Sequence, residues 1–202
     1  MTRFVRLLST LAAALMLALP AQATEEDGLI IGDDGLYKEP WYANTFLDMS
    51  EDLSDAAAEG KGLMIIVEQK GCPYCRELHA VNFRDEELVS YLTGNFMVVE
   101  LDLYGSRAVT DFDGEEMEER DLVAKWGVQF TPTTILIDKA NTGAKSIREA
   151  ESFRLPGYLK VFHYRSSLEY VASGAYKEQG FQRFLQERAD KLREQGIEVE
   201  LW

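Results

Sequence analysis

Gly71-Cys72-Pro73-Tyr74-Cys75-Arg76-Glu77-Leu78-His79 carries both cysteines of the 202-residue chain, with two residues between them. Shortly before it runs Leu63-Met64-Ile65-Ile66-Val67, an apolar stretch of strand length that suits a central strand buried on both faces. A strand that leads into Cys-x-x-Cys and opens a helix is the arrangement of a thiol–disulfide site. Pro73 fits the first helical position, where its missing N–H costs nothing. Cys72 then lies at the helix start, where free N–H groups and the helix dipole favour a thiolate. Cys75 lies one turn on, deeper. Cys72 is therefore the expected nucleophile and Cys75 the resolving thiol.

Two other readings of the pair stand beside this one. A structural disulfide between Cys72 and Cys75 closes a loop too small to stabilise a chain of this size. A zinc site needs four ligands, and His79 and His163 are the chain's two histidines. His79 follows Cys75 by four residues and shares its helix face, but its ordinary reading is a packed or solvent-facing helix residue. Asp111-Phe112-Asp113-Gly114 resembles part of a calcium loop, yet the last ligand position falls on Arg120. No metal and no cofactor is expected.

The N-terminus reads as a targeting signal. Arg3 and Arg6 precede an apolar run from Leu7 to Leu19, Pro20 breaks it, and Ala21-Gln22-Ala23 is a small-x-small cleavage site. The run falls short of the about 20 apolar residues of a spanning helix. The expectation is a signal peptide over 1–23, cleaved after Ala23, and an exported, periplasmic protein without stable membrane insertion. Removing the two arginines leaves 19 basic residues of 21 against 35 acidic ones, a net charge of −16. That charge argues against nucleic acid or an anionic membrane as a partner. An oxidising compartment permits structural disulfides, so a chain whose cysteines all lie in one Cys-x-x-Cys keeps them for chemistry.

Thr24 to Tyr42 reads as a loosely structured acidic segment able to dock on the domain, giving a lead-in over 24–44 and a domain over 45–202. Thr45-Phe46-Leu47 begins a helical pattern in which Phe46, Met49, Leu53 and Ala57 have helical spacing, and Gly60-Lys61-Gly62 ends it. Pro73 to Val81 is the motif helix, and Arg84 to Asn95 a second one. Phe96 to Leu103 is a strand, Tyr104 to Met117 a loop insertion, and Glu118 to Trp126 a short helix. Thr134 to Ile137 is a strand, and Lys139 to Lys145 a turn. Ser152 to Pro156 is an edge strand, because Pro156 cannot donate to a ladder. Val161 to Ala172 and Glu178 to Gln195 are helices. In the last helix Phe181, Leu185 and Leu192 form a stripe with Arg188 as its polar exception. Residues 197–202 alternate weakly.

This order, with Thr131-Pro132-Thr133 before a strand, resembles the thioredoxin superfamily over roughly Thr45 to Gln195. The resemblance implies a three-layer α/β fold, a central mixed sheet flanked by helices. It also implies a cis Pro132 facing the disulfide and backbone groups of Thr131 offered to an extended substrate, with Pro73 and Tyr74 lining the same surface. Glu68 to Cys75, Asn95 to Leu103, and Pro156-Gly157-Tyr158 with Phe162-His163-Tyr164 look like SoxW-type periplasmic thioredoxins of sulfur-oxidising bacteria. That likeness implies a reductant of protein disulfides or of a sulfur-carrier protein, supplied by a membrane electron donor of the CcdA/SoxV type. A DsbA-like oxidant or isomerase is the alternative, although the stretch between Leu103 and Pro132 is too short for that family's helical insertion. A non-catalytic binding or chaperone module is the alternative of another class.

Two positions depart from thioredoxin. Its buried acid, six residues before the first active cysteine, is replaced by Ile66, and the tryptophan before that cysteine by Gly71. Glu68, two residues along the strand face from Ile66, is the candidate proton acceptor for Cys75; its alternative is a solvated strand-end charge.

Overall fold

The computed structural model describes residues 24–26 and 28–199. The expected signal peptide lies outside them, as do residues 200–202 of the alternating tail. Strand β4 (Gly62–Glu68) is buried along its whole length. It pairs in parallel with β5 (Phe96–Asp102) and antiparallel with β8 (Thr133–Ile137), and β8 pairs antiparallel with β9 (Phe153–Pro156). The order β5-β4-β8-β9 leaves the proline-ended strand on the edge.

Alternate residues of β4 face opposite layers. Leu63, Ile65 and Val67 pack with Val99, Leu101, Ile135 and Ile137 against helix α1 (Met49–Ala58), α4 (Glu119–Lys125) and the short α5 (Ile147–Ala150). Met64 and Ile66 face the other layer. It consists of α2 (Pro73–Ala80), a 3₁₀ turn (Asn82–Arg84), α3 (Glu86–Asn95) and α6 (Val161–Ala172). This is the three-layer mixed-sheet fold. Helix α7 (Phe181–Glu194) packs outside α6, and Arg188, the polar exception of its stripe, reaches Glu169 with Nη2 2.9 Å from Oε1.

Local caps fix the helix starts. Asp85 accepts from the Leu88 N–H at 2.8 Å at the head of α3. Asp48 does the same for Ser50 and Glu51, so α1 begins at Met49 and not at Thr45. Phe46 is exposed ahead of it, and Ala56 takes the buried position expected of Ala57.

Two segments are more ordered than their composition suggests. Residues 104–117 contain strand β6 (Ala108–Thr110), whose hairpin partner β7 (Glu116–Glu118) ends the stretch. The carboxylates of Asp111, Asp113 and Glu115 converge on Lys125 Nζ at 2.7–3.0 Å, and Asp111 also accepts from the Trp126 indole. Strands of three residues are too short to show alternation in a polar stretch. The acidic lead-in is likewise a three-stranded antiparallel sheet, of β1 (Thr24–Glu26), β2 (Leu29–Ile31) and β3 (Tyr37–Lys38). Leu29 and Leu36 are buried, and Trp41 and Tyr42 pack on the α2 layer of the core.

Candidate active site

Helix α2 starts just beyond the carboxyl end of the interior strand β4. Gly71 turns it with φ 73°, a left-handed conformation that costs a residue with a Cβ about 1–2 kcal/mol. This accounts for glycine where thioredoxin has tryptophan. Cys72 is the N-cap, and Pro73 occupies the first turn. Cys72 and Cys75 are joined as a disulfide with their Cα atoms 5.2 Å apart. Cys75 has no exposure and Cys72 retains 4%, so Cys72 is the sulfur an outside group can reach. Tyr74 between them is 63% exposed.

Three groups surround the Cys72 sulfur. The Cys75 N–H donates to it at 3.1 Å, and the Thr131 hydroxyl donates at 3.4 Å. The Thr131 carbonyl oxygen lies 3.5 Å away. The Thr131–Pro132 peptide is cis, and the Pro132 carbonyl accepts from the Gly157 N–H at 2.7 Å, tying this loop to the end of β9. Phe130, just before it, is 64% exposed. An N–H and a hydroxyl aimed at one sulfur favour its thiolate over the thiol.

Behind the disulfide lies a buried ionic cluster. Glu68, at the end of β4, is fully buried and not a solvated strand-end charge. Its Oε1 is 2.9 Å from His79 Nε2, while its Oε2 is buried with no hydrogen-bond partner. His79 Nδ1 is 2.9 Å from Glu39 Oε1, on the chain just after β3. With a carboxylate at each ring nitrogen, both nitrogens donate, and only the imidazolium has two N–H groups. Burial works against that charge, but the hydrogen bonds to Glu39 and Glu68 outweigh it and raise the His79 pKa. Arg84 Nη1 holds both oxygens of Glu39 at 3.1 Å. The Tyr42 hydroxyl lies 3.4 Å from His79 Nε2.

Glu100 on β5, in register with Ile66, pairs with Lys38; burial still pushes it up to about 7. Ile66 itself is apolar core. The acid missing at that position is thus flanked by two buried carboxylates, one further along its own strand and one across the ladder.

Cys72, Pro73, Tyr74 and Cys75 follow one another at the head of α2, and Thr131 reaches the Cys72 sulfur; Tyr74 is exposed, while Cys75, Pro132 and Glu68 are buried. His163, the other histidine, sits on α6, its ring centroid 5.4 Å from that of Phe162. Among the described residues, no cluster of three or more His, Cys, Asp or Glu could hold a metal ion. Glu39 had no signal in the sequence, being one of 35 acidic residues in a stretch without periodicity. The Thr131 side chain was also unforeseen, since only its backbone was expected to matter.

The family model described as a thioredoxin-like domain matches residues 49–172. The chain is similar to the solved structure of a thioredoxin-fold protein from Helicobacter pylori. The identity is 22% and the TM-score 0.55, with 75% of this chain and 88% of that one covered. It is also similar to a thioredoxin from Thermus thermophilus, at 21% identity and a TM-score of 0.50, covering 69% and 95%. These are likenesses of fold. No curated protein matches the chain.

Proposed function

Since the chain belongs to the thioredoxin-like domain family, we propose that this thiol–disulfide oxidoreductase is an exported reductant of protein disulfides or protein-bound sulfur. The observation that carries the reading is the asymmetry of the pair. Cys72 retains the pair's only exposure and accepts from the Cys75 N–H and the Thr131 hydroxyl, and Cys75 is fully buried.

In the reduced protein the Cys72 thiolate attacks one sulfur of a substrate disulfide. The substrate S–S bond breaks, one substrate thiolate leaves, and a mixed disulfide remains. Cys75 gives its proton to Glu68 and attacks the Cys72 sulfur. The second substrate thiolate leaves, and the Cys72–Cys75 disulfide forms. Two electrons have passed to the substrate. The exposed rings of Tyr74 and Phe130 and the cis Thr131–Pro132 peptide offer an extended chain a place to lie beside Cys72.

Direction follows from the supply of electrons. The N-terminal leader argues for the periplasm, where a soluble reductant needs a membrane donor of the CcdA/SoxV type. The SoxW-like sequence features favour a sulfur-carrier protein as substrate. Among the described residues, no helix is long and apolar enough to cross a membrane. The 104–132 stretch holds a hairpin and a seven-residue helix, which supports this reading over a DsbA-like oxidant.

The decisive experiment traps the Cys72/Cys75 pair in growing cells and measures its reduction potential. A mostly reduced pair that becomes oxidised when the membrane donor is removed is the expected result. A mostly oxidised pair means an oxidant. Cys72→Ser should abolish dithiol-dependent insulin reduction, and a binding module would have none to lose.

A further inference from the structure

The N-terminal segment crosses the back of the dithiol site and delivers three side chains into it. Glu39 is buried against His79 Nδ1, and the Tyr42 hydroxyl lies 3.4 Å from Nε2. The Tyr37 ring packs with its centroid 5.1 Å from that of His79. None of these residues falls within the matched span 49–172. His79 in turn holds Glu68 Oε1 at 2.9 Å. Cys75 and His79 are four residues apart on α2, so their side chains neighbour each other on one helix face.

We propose that Glu39 is a positioning residue of the dithiol site: it clamps the His79 ring against Glu68, which makes the 24–44 segment a working part of the redox centre. This rests on the role given above to Glu68 as proton acceptor for Cys75.

Glu68 has no exposure, and a buried carboxylate keeps its charge only beside a cation. His79 is the cation in contact with it. Two other cations of the lead-in and the α2 layer have partners of their own. Lys38 is held by Asp34 and Glu100, and Arg84 by Glu39. Glu100 on β5 and the buried Tyr164 on α6 bring Glu68 no positive charge. The Tyr42 hydroxyl stays neutral, its pKa held well above the usual phenol range by burial and by the carboxylates around it. Without Glu39, His79 keeps one anionic partner and loses the contact that fixes its ring. The proton then leaves the ring at lower pH, and Glu68 loses the cation that keeps a buried carboxylate charged. A protonated Glu68 cannot accept the proton of Cys75.

The test compares wild type with Glu39→Gln, which keeps the shape of the side chain and removes its charge, and with Glu39→Asp. The His79 imidazole is titrated by NMR, assigned with His79→Gln. The pH dependence of Cys72–Cys75 reduction is followed in a dithiothreitol redox buffer. We expect the His79 midpoint to move down by about one pH unit or more in Glu39→Gln. The redox curve should break at the shifted His79 midpoint, and Glu39→Asp should restore part of the shift. His79 and redox curves that coincide with wild type in a folded Glu39→Gln protein overturn the proposal. So does a shift no smaller in Glu39→Asp than in Glu39→Gln. Both readouts belong to the protein alone, so a wild type that fails to reduce insulin would count against the function and leave this coupling to stand or fall by its own curves.

Discussion

Glu39 and His79, 40 positions apart, meet with Glu39 Oε1 2.9 Å from His79 Nδ1, both side chains buried. The contact joins the acidic lead-in to the helix that carries the cysteines. It gives an acidic segment a structural reason to be acidic: one of its carboxylates, buried, faces the His79 imidazolium and is held from outside by the exposed Arg84.

The contact makes stability depend on pH. The His79 pKa is raised above its ordinary value. Its contribution is therefore full below about pH 6.5, the unfolded value, and is lost as pH rises through the folded value. Urea unfolding of the oxidised protein should show stability falling as pH rises above about 6.5. His79→Gln should be less stable at pH 6 and should lose this slope; an unchanged slope would place its origin elsewhere.

Asp52 gives a slope in a lower window. It is buried in the first turn of α1, and burial pushes it up to about 7, against the hydrogen bond from Thr45. For an acid raised in this way, the folded state is favoured below the unfolded value and loses stability as pH rises towards the folded one. Asp52→Asn should thus match wild type near pH 4 and be more stable at pH 7.5, by about 1–3 kcal/mol. Equal stability at both pH values would show that Asp52 is ionised in the folded protein at no cost.

Thr131 should tune the nucleophile. Its hydroxyl donates to the Cys72 sulfur at 3.4 Å, which favours the thiolate. Thr131→Val keeps the branched shape and removes the donor. The Cys72 thiolate, followed by its absorbance near 240 nm in the reduced protein, should titrate about half a unit to one unit higher. Coincident titrations would leave the helix start and the Cys75 N–H as the source of the thiolate's stability.

Gly71 should resist substitution for its backbone alone. With φ 73° and open space where a Cβ would stand, Gly71→Ala meets no clash, only the left-handed conformation. A loss of about 1 kcal/mol in denaturant unfolding is expected. A change in activity much larger than that in stability would mean that the turn also sets the angle at which Cys72 is presented.

Much of this protein is written locally. The run from Leu63 to Val67 and the Cys-Pro-Tyr-Cys that follows fix a buried strand, a helix start and the order of the two thiols, because apolar patterning, a proline at the first turn and cysteine spacing act within a few residues. The edge position of Pro156 is legible for the same reason, whereas the role of Thr131-Pro132 came from the resemblance to the thioredoxin superfamily. The partners of Glu68 are not. Nothing periodic links Glu39, Glu68 and His79, which are 11 and 40 positions from one another along the chain in their two contacts. Whether a strand-end carboxylate is solvated or sealed beside an imidazolium depends on which segment covers it. The covering segment is a three-stranded sheet made of strands of two or three residues, too short to announce themselves. The sequence by itself determined that two cysteines exchange a disulfide at the head of a helix. The tertiary structure decided which charges stand behind them, since burial and a long-range contact, not residue type, set the state of each.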